Sequence, residues 1–248
     1  MRLCDAAICF CQALFFPQNC VLCGAWVANP DLSPLCRPCL AALPRHSGPQ
    51  CQYCGVCLPA NVADAFAVCS ACRAQRHLFD LARSAGPYEG ALRDLIRKYK
   101  FDGFRRLASP LAAILESVCA AEPGLGRSDW ILAVPLHPRR RRERGFDQTL
   151  LLARLLSARL GVPVFSGLRR IRQTAPQFGL DHEERARNVR GAFGVTGAEA
   201  LADASVLLID DVMTTGATIN EICRLLREQA SPKEIMALTL ARVPLTRS

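Results

Sequence analysis

The acidic pair Asp210-Asp211 stands behind the apolar run Val206-Leu207-Leu208-Ile209 and ahead of Val212-Met213-Thr214-Thr215-Gly216-Ala217-Thr218. Two adjacent carboxylates repel each other, so a ligand that uses both is the natural reason to keep them. Delivered by a buried strand to its carboxyl end, where open α/β sheets bind ligands, they can accept hydrogen bonds from two neighbouring ribose hydroxyls. The small and hydroxyl residues that follow suit a phosphate. Their backbone N–H groups can surround it, and the helix that starts there adds its positive dipole end. Gly216 admits backbone conformations that a Cβ obstructs. An ordinary strand–loop–helix connection explains a capping Thr215 or Thr218 but not the acidic pair.

A second constellation is cationic. The run Arg139-Arg140-Arg141-Arg142-Glu143-Arg144 follows a strand expected at Trp130–Val134 and closed by Pro135. Guanidinium forks match phosphate oxygens. Between His137 and Arg190 thirteen arginines face five acids, so nearly all of the net charge of +9 falls in that stretch. This clustering points to an anionic partner; a solvated surface is the competing reading. Four consecutive arginines exceed the needs of one small ligand, so Arg139, Arg140, Arg141 and Arg142 are candidates for a nucleic-acid backbone.

The third constellation is sulfur. Of fourteen cysteines, eight form four Cys-x-x-Cys pairs: Cys20/Cys23, Cys36/Cys39, Cys51/Cys54 and Cys69/Cys72. The first and third are each followed by Gly, as a zinc knuckle requires, so the order knuckle–pair repeats. Two serial Cys4 zinc sites, closed and hence structural, are expected. A cross-braced pairing satisfies the same spacing, and Cys57 and His77 are further potential ligands. Metal thiolates imply a reducing, cytoplasmic compartment. Cys4, Cys9, Cys11, Cys119 and Cys223 read as core residues.

These residues need elements to hold them. Residues 1–80 are Cys- and Pro-rich with little periodicity, apart from a short apolar start at Met1–Phe16. That start reads as a docked helix, because it lacks a small-residue cleavage site. No stretch is long and apolar enough to span a membrane. From about 84 the pattern changes. Leu92, Leu95, Ile96 and Tyr99 mark one amphipathic helix, and Leu107, Leu111, Ile114, Leu115 and Val118 mark another. Helices are expected at 147–160 and 217–230, the latter with Ile219, Ile222, Cys223 and Leu226 facing inward. Strands are expected at Leu168–Arg172, Ala192–Val195, Val206–Ile209 and Ile235–Ala241. Alternating strands and helices imply an α/β domain over 84–248, with a mostly parallel sheet and helices on both faces. A small N-terminal Cys-rich zinc-ribbon module over 1–80 precedes it.

Residues 206–218 resemble the phosphoribosyl pyrophosphate (PRPP) motif of type I phosphoribosyltransferases. Other segments resemble the ComF (competence protein F) family, linked to DNA uptake. They are Val134-Pro135-Leu136-His137, Arg144-Gly145-Phe146-Asp147-Gln148, residues 170–180, residues 185–193, and Tyr88–Leu92 with Lys100-Phe101. The resemblance covers most of residues 20–242 and extends to the Cys-rich front. It implies a type I phosphoribosyltransferase-like fold behind a double zinc ribbon. Asp210 and Asp211 would hold the ribose hydroxyls, and Thr214 to Thr218 the 5′-phosphate. Pro135 and Leu136 would form the pyrophosphate loop. It also implies magnesium held largely by the ligand, as that ion prefers phosphates and water. Asp147 departs from the family's usual Asn, and an acid there would repel pyrophosphate.

Arg144 is the first choice for a pyrophosphate clamp. Residues 170–190 are expected to form a flexible loop closing over the substrate, lined by Gln177, Arg185 and Asn188. No residue stands out as a general base; His137 and His182 are available, but lone histidines are usually structural. Three functions compete: a phosphoribosyl transferase with an unknown acceptor, a single-stranded DNA-binding protein working beside competence or DNA-processing proteins, and a PRPP sensor.

Overall fold

The computed structural model describes residues 19–27, 34–62, 67–174 and 181–244, with the side chain of residue 182 left aside. The expected N-terminal helix, Cys4, Cys9, Cys11 and Gln177 lie outside the described residues. Among the described residues no helix is long and apolar enough to cross a membrane.

The front consists of two similar knuckles. Each is pinched by one antiparallel bridge, Asn19 with Trp26 and Gln50 with Cys57. Each is followed by a single helical turn, α1 (Arg37–Ala41) and α2 (Ser70–Ala74). The internal repeat read from the Cys spacing is therefore a structural repeat.

The elements that follow are β1 (Leu81–Pro87), α3 (Gly90–Phe101), α4 (Ala108–Ala121), α5 (Pro123–Gly126) and β2 (Trp130–Ala133). Next come α6 (Pro138–Arg144), α7 (Gln148–Leu160), β3 (Leu168–Arg170), α8 (His182–Val189) and β4 (Phe193–Val195). The chain closes with β5 (Ser205–Met213), α9 (Ala217–Gln229) and β6 (Glu234–Arg242). Four strands form a parallel sheet in the order β1-β6-β5-β2. β5 and β6 are central, with the continuous apolar runs Val206–Ile209 and Ile235–Leu238 expected of strands covered on both faces. β3 and β4 make a separate antiparallel pair.

The sheet carries two cores. One packs Leu92, Leu95, Ile96 and Tyr99 of α3, the buried faces of α4 and α7, and Leu207, Ile209 and Leu238 of the sheet. The other packs Ile219, Ile222, Cys223 and Leu226 of α9 against Leu132, Val206, Leu208 and Ala237. The knuckles extend these cores. Cys20, Leu35 and Leu43 join the first, and Cys51, Cys54, Cys69, Cys72 and Phe79 join the second. Backbone contact is equally close: Ala82 N donates to the Tyr53 carbonyl at 2.7 Å. A Cβ at Gly55 would stand 2.6 Å from the Ala82 carbonyl oxygen, so only glycine lets the second knuckle dock on β1.

Two expectations change. The arginine run is a helix, α6, with Pro138 at its first position, His137 as N-cap and left-handed Gly145 as C-cap. Residues 170–190 are not one continuous loop. Their second half is α8, opened by a capping box between Asp181 and Glu184.

Candidate functional site

The carboxyl ends of β2, β5 and β6 open into a cleft of about 300 Å³. Its floor is the acidic pair and the loop after it: Asp210, Asp211, Val212, Met213, Thr214, Gly216, Ala217 and Thr218 all line it. Pro135 and Leu136 form one wall, and Arg144 and Arg185 line it too. Thr215 turns away, its hydroxyl accepting from Ala217 N at 3.3 Å. Asn188 does not line the cleft; its carbonyl accepts from Arg172 Nη2 at 2.9 Å. Of the four consecutive arginines only Arg140 lines the cleft, while Arg139, Arg141 and Arg142 are exposed on α6. That division follows from helical spacing, which puts consecutive residues on different faces.

Four polar lining residues were not singled out from sequence: Tyr88, Lys100, Thr149 and Arg170. Lys100 ends α3 and pairs with Asp211, Nζ to Oδ1 at 2.8 Å, both side chains largely buried. Nothing local in the sequence tells that this lysine meets an acid on β5. Its place beside Phe101 in the family-like run was the available signal.

The acidic pair is electrostatically split. Asp210 is pushed from 3.8 up to about 7 by desolvation and then by Asp211, against the pull of the Asp211 N–H, Lys100 and Arg170. Asp211 N donates to Asp210 Oδ1 at 2.8 Å. Burial and the neighbouring Asp211 thus both oppose a full charge on Asp210. Gly216 sits at φ +80°, and a Cβ there would meet Met213 Cε at 2.9 Å and His77 Cε1 at 3.3 Å. The loop can take this shape only with glycine. His77 accepts from Asn220 Nδ2 at 2.9 Å and stacks on Phe79, so the segment after the second knuckle buttresses the loop.

Arg144 is held from behind. Its Nη1 donates to Gln148 Oε1 at 3.2 Å, and its guanidinium lies 5.0 Å from the Phe101 ring. Gln148 is buried and donates in turn to the Lys100 carbonyl at 3.3 Å. Asp147 is the N-cap of α7, accepting from Leu150 N at 3.0 Å and from the Thr149 hydroxyl at 2.9 Å. Its carboxylate is thus engaged in a capping role and is absent from the cleft lining. His137 likewise caps α6.

The eight paired cysteines form two clusters, Cys20/Cys23/Cys36/Cys39 and Cys51/Cys54/Cys69/Cys72, with sulfurs within 4.8 Å of one another in each. The arrangement is serial. Cys57 stands apart, 3.0 Å from His46 Nδ1, and His77 belongs to the loop contact above. Sulfur separations of 3.7 Å, Cys23 to Cys36 and Cys54 to Cys69, fit the edge of a tetrahedron with Zn–S bonds of about 2.3 Å. Cys36 and Cys69 cap α1 and α2, accepting from the N–H three residues on at 3.4 Å. Cys54 is pushed up by the Cys51 sulfur and then by burial, while Cys51 falls to about 4. Four thiols in one cage cannot all ionise without a cation, which Zn2+ supplies. Arg242 is buried beside this cluster, its charge favouring ionised Cys54, and its Nε and Nη1 have no hydrogen-bond partner. A zinc tetrathiolate, two charges negative, is a fitting counterion. Cys119 and Cys223 are buried core residues as expected.

A separate cavity of about 330 Å³ lies where the knuckles meet β1 and α4. Its lining mixes aliphatic side chains with polar ones, the Arg83–Glu122 ion pair among them. It lacks an acidic pair and a phosphate loop.

Comparison with known proteins agrees with this geometry. Residues 11–73 match the double zinc ribbon domain, and residues 148–247 match the phosphoribosyl transferase domain. The chain is 32% identical to Competence protein F of Haemophilus influenzae over 213 residues, 84% of this chain and 90% of that one. It is 33% identical to DNA utilization protein YhgH of Salmonella typhimurium over 230 residues, covering 91% and 98%. A solved structure described as the allosteric regulatory enzyme of purine biosynthesis aligns with 58% of this chain and 30% of its own, at 19% identity and a TM-score of 0.40. With two serial cysteine cages in front of a parallel sheet that ends in Asp210-Asp211 and its glycine loop, the chain belongs to the ComF/YhgH family.

Proposed function

We propose that the cleft binds PRPP with magnesium and that the protein uses this site in DNA uptake, transferring the phosphoribosyl group to an acceptor. The observation that carries the reading is the convergence of Asp210, Asp211 and the Met213–Thr218 loop on one cleft rimmed by cations. Asp210 and Asp211 accept from the ribose hydroxyls. The backbone at Thr214, Gly216, Ala217 and Thr218 surrounds the 5′-phosphate at the start of α9. Pro135, Leu136 and Arg144 receive the pyrophosphate. Magnesium is held chiefly by ligand oxygens and water. Phosphoribosyl transfer needs positioning and charge stabilisation more than a protein base, so the lack of a histidine in the lining among the described residues fits. The relatives' names, Competence protein F and DNA utilization protein, support the setting. Measuring pyrophosphate release from PRPP against a panel of neutral nucleobases and of carboxylated and phosphorylated acceptors tests transfer. Release that depends on one acceptor supports the enzyme; no release with any acceptor, by protein that binds PRPP, leaves a sensor or binder.

A second reading rests on α3 and α6. Phe104 and Phe101 are exposed, 40% and 65%, beside Lys98 and Arg144 respectively, with exposed Arg139, Arg141 and Arg142 on α6. Exposed rings among cations suit stacking with single-stranded DNA.

A further inference from the structure

The PRPP reading assigns Arg144 to the pyrophosphate and gives no task to Arg140 and Arg170, two further guanidinium groups of the cleft. They come from different elements, α6 and the end of β3, yet they converge on one residue. Arg140 Nη2 donates to the Thr174 carbonyl at 3.5 Å, and Arg170 Nη2 donates to the Thr174 hydroxyl. Both side chains line the cleft that holds Asp210. No carboxylate pairs with either among the described residues. Arg170 Nε is buried and has no hydrogen-bond partner among the described residues. The Phe193 ring lies 5.2 Å from the Arg170 guanidinium and excludes water from that side.

Such an arrangement is costly in the free protein. Desolvation, and then the charge of Arg140, push Arg170 below the usual arginine range, against the pull of Asp210. Two like charges drawn together, one of them partly desolvated, destabilise the fold unless an anion joins them. Thr174 supplies only neutral acceptors. The pyrophosphate already has Arg144 and the Pro135–Leu136 turn. Asp210, the carboxylate whose charge acts on Arg170, pairs with neither guanidinium among the described residues and is assigned to the ribose, so an anion that accepts from the two arginines belongs to a second molecule in the cleft.

We propose that Arg140 and Arg170 form a second anion subsite, which takes a carboxylate or phosphate on the molecule that meets the bound sugar. The acceptor is then an anionic small molecule and not a neutral nucleobase. Guanidinium forks recognise both groups through the same paired N–H geometry. This inference rests on the PRPP reading for the word acceptor, but the subsite itself does not.

Ligand-observed NMR on the full zinc-loaded chain tests it, with and without Mg-PRPP, using benzoate, its neutral isostere benzamide, and inorganic phosphate. Wild type should bind benzoate and phosphate in both states and ignore benzamide. Arg170→Gln, and independently Arg140→Gln on the more exposed α6, should weaken both anions roughly tenfold or more, with PRPP affinity changed by less than about threefold. Arg170→Lys should recover part of the anion binding. Benzoate binding with phosphate excluded identifies a carboxylate acceptor; the reverse identifies a phosphorylated one. Equal binding of benzoate and benzamide overturns the proposal. So does loss of PRPP affinity in Arg170→Gln with anion binding unchanged. Failure of wild type to bind PRPP contradicts the function proposed above, and the anion titrations of the ligand-free chain still decide this subsite.

Discussion

Asp210 sits in surroundings that oppose its own charge, and this has a measurable signature. Its pKa rises from 3.8 to about 7 on folding, chiefly through desolvation. Between those values the native state keeps a proton that the unfolded chain has released. Stability contributed by this group therefore falls as pH rises across that window. Asp210→Asn removes the penalty. In the ligand-free protein it should raise stability at pH 8 by on the order of 1–2 kcal/mol, and the gain should vanish near pH 4. Thermal melts of the two proteins across pH check this; an Asn variant less stable at pH 8 would mean the carboxylate is not desolvated. The acidic pair and loop were legible in the sequence because their chemistry is contiguous, Val206 to Thr218. Lys100 and Arg170 were not, because their importance lies in contacts with residues far along the chain. Asp147 shows the opposite limit: its type suggested a conflict with pyrophosphate, and its geometry makes it a helix cap.

At the scale of elements, periodic helices were readable and short charged ones were not. The apolar stripes of α3, α4 and α9 gave their positions, since tertiary packing rewards that periodicity. α6 has no buried residue, so it presents no stripe, and it is defined by Pro138 and Gly145 at its two ends. α8 is likewise set by its capping box. β1 was missed as well, its small and polar residues Ala82, Ser84 and Gly86 being selected by the knuckles that cover them. Because α6 divides its arginines, DNA and small-ligand effects should separate. Replacing Arg139, Arg141 and Arg142 with Ala, sparing Arg140 and Arg144, should weaken single-stranded DNA binding alike for all sequences. It should also flatten the log–log salt slope by about 0.7 for each DNA phosphate that those arginines neutralise, with Mg-PRPP affinity retained. An unchanged slope in fluorescence anisotropy assigns those arginines to solvent.

For the whole molecule, the knuckles and the sheet share two cores. Cys20 and Leu43 share a core with the buried residues of α3, and Cys51 and Cys72 share the other with those of α9. Metal loss should therefore be felt beyond residue 80. Purified protein should carry two zinc ions per chain, and chelation should lower the melting temperature of the entire chain in one transition. Each tetrathiolate contributes on the order of 10 kcal/mol to ordering its own ligands. A chelated protein whose sheet melts at the original temperature would show that the ribbons are mere attachments. His77, from the end of the second ribbon, touches Gly216 of the phosphate loop, so zinc removal should also weaken ligand binding. All of this converges on one cleft. Its most direct test is calorimetric titration of Mg-PRPP into wild type and into Asp210→Asn/Asp211→Asn. Saturable, magnesium-dependent binding by wild type and its loss in a folded double variant is the predicted result; equal affinity in the two proteins would contradict the account.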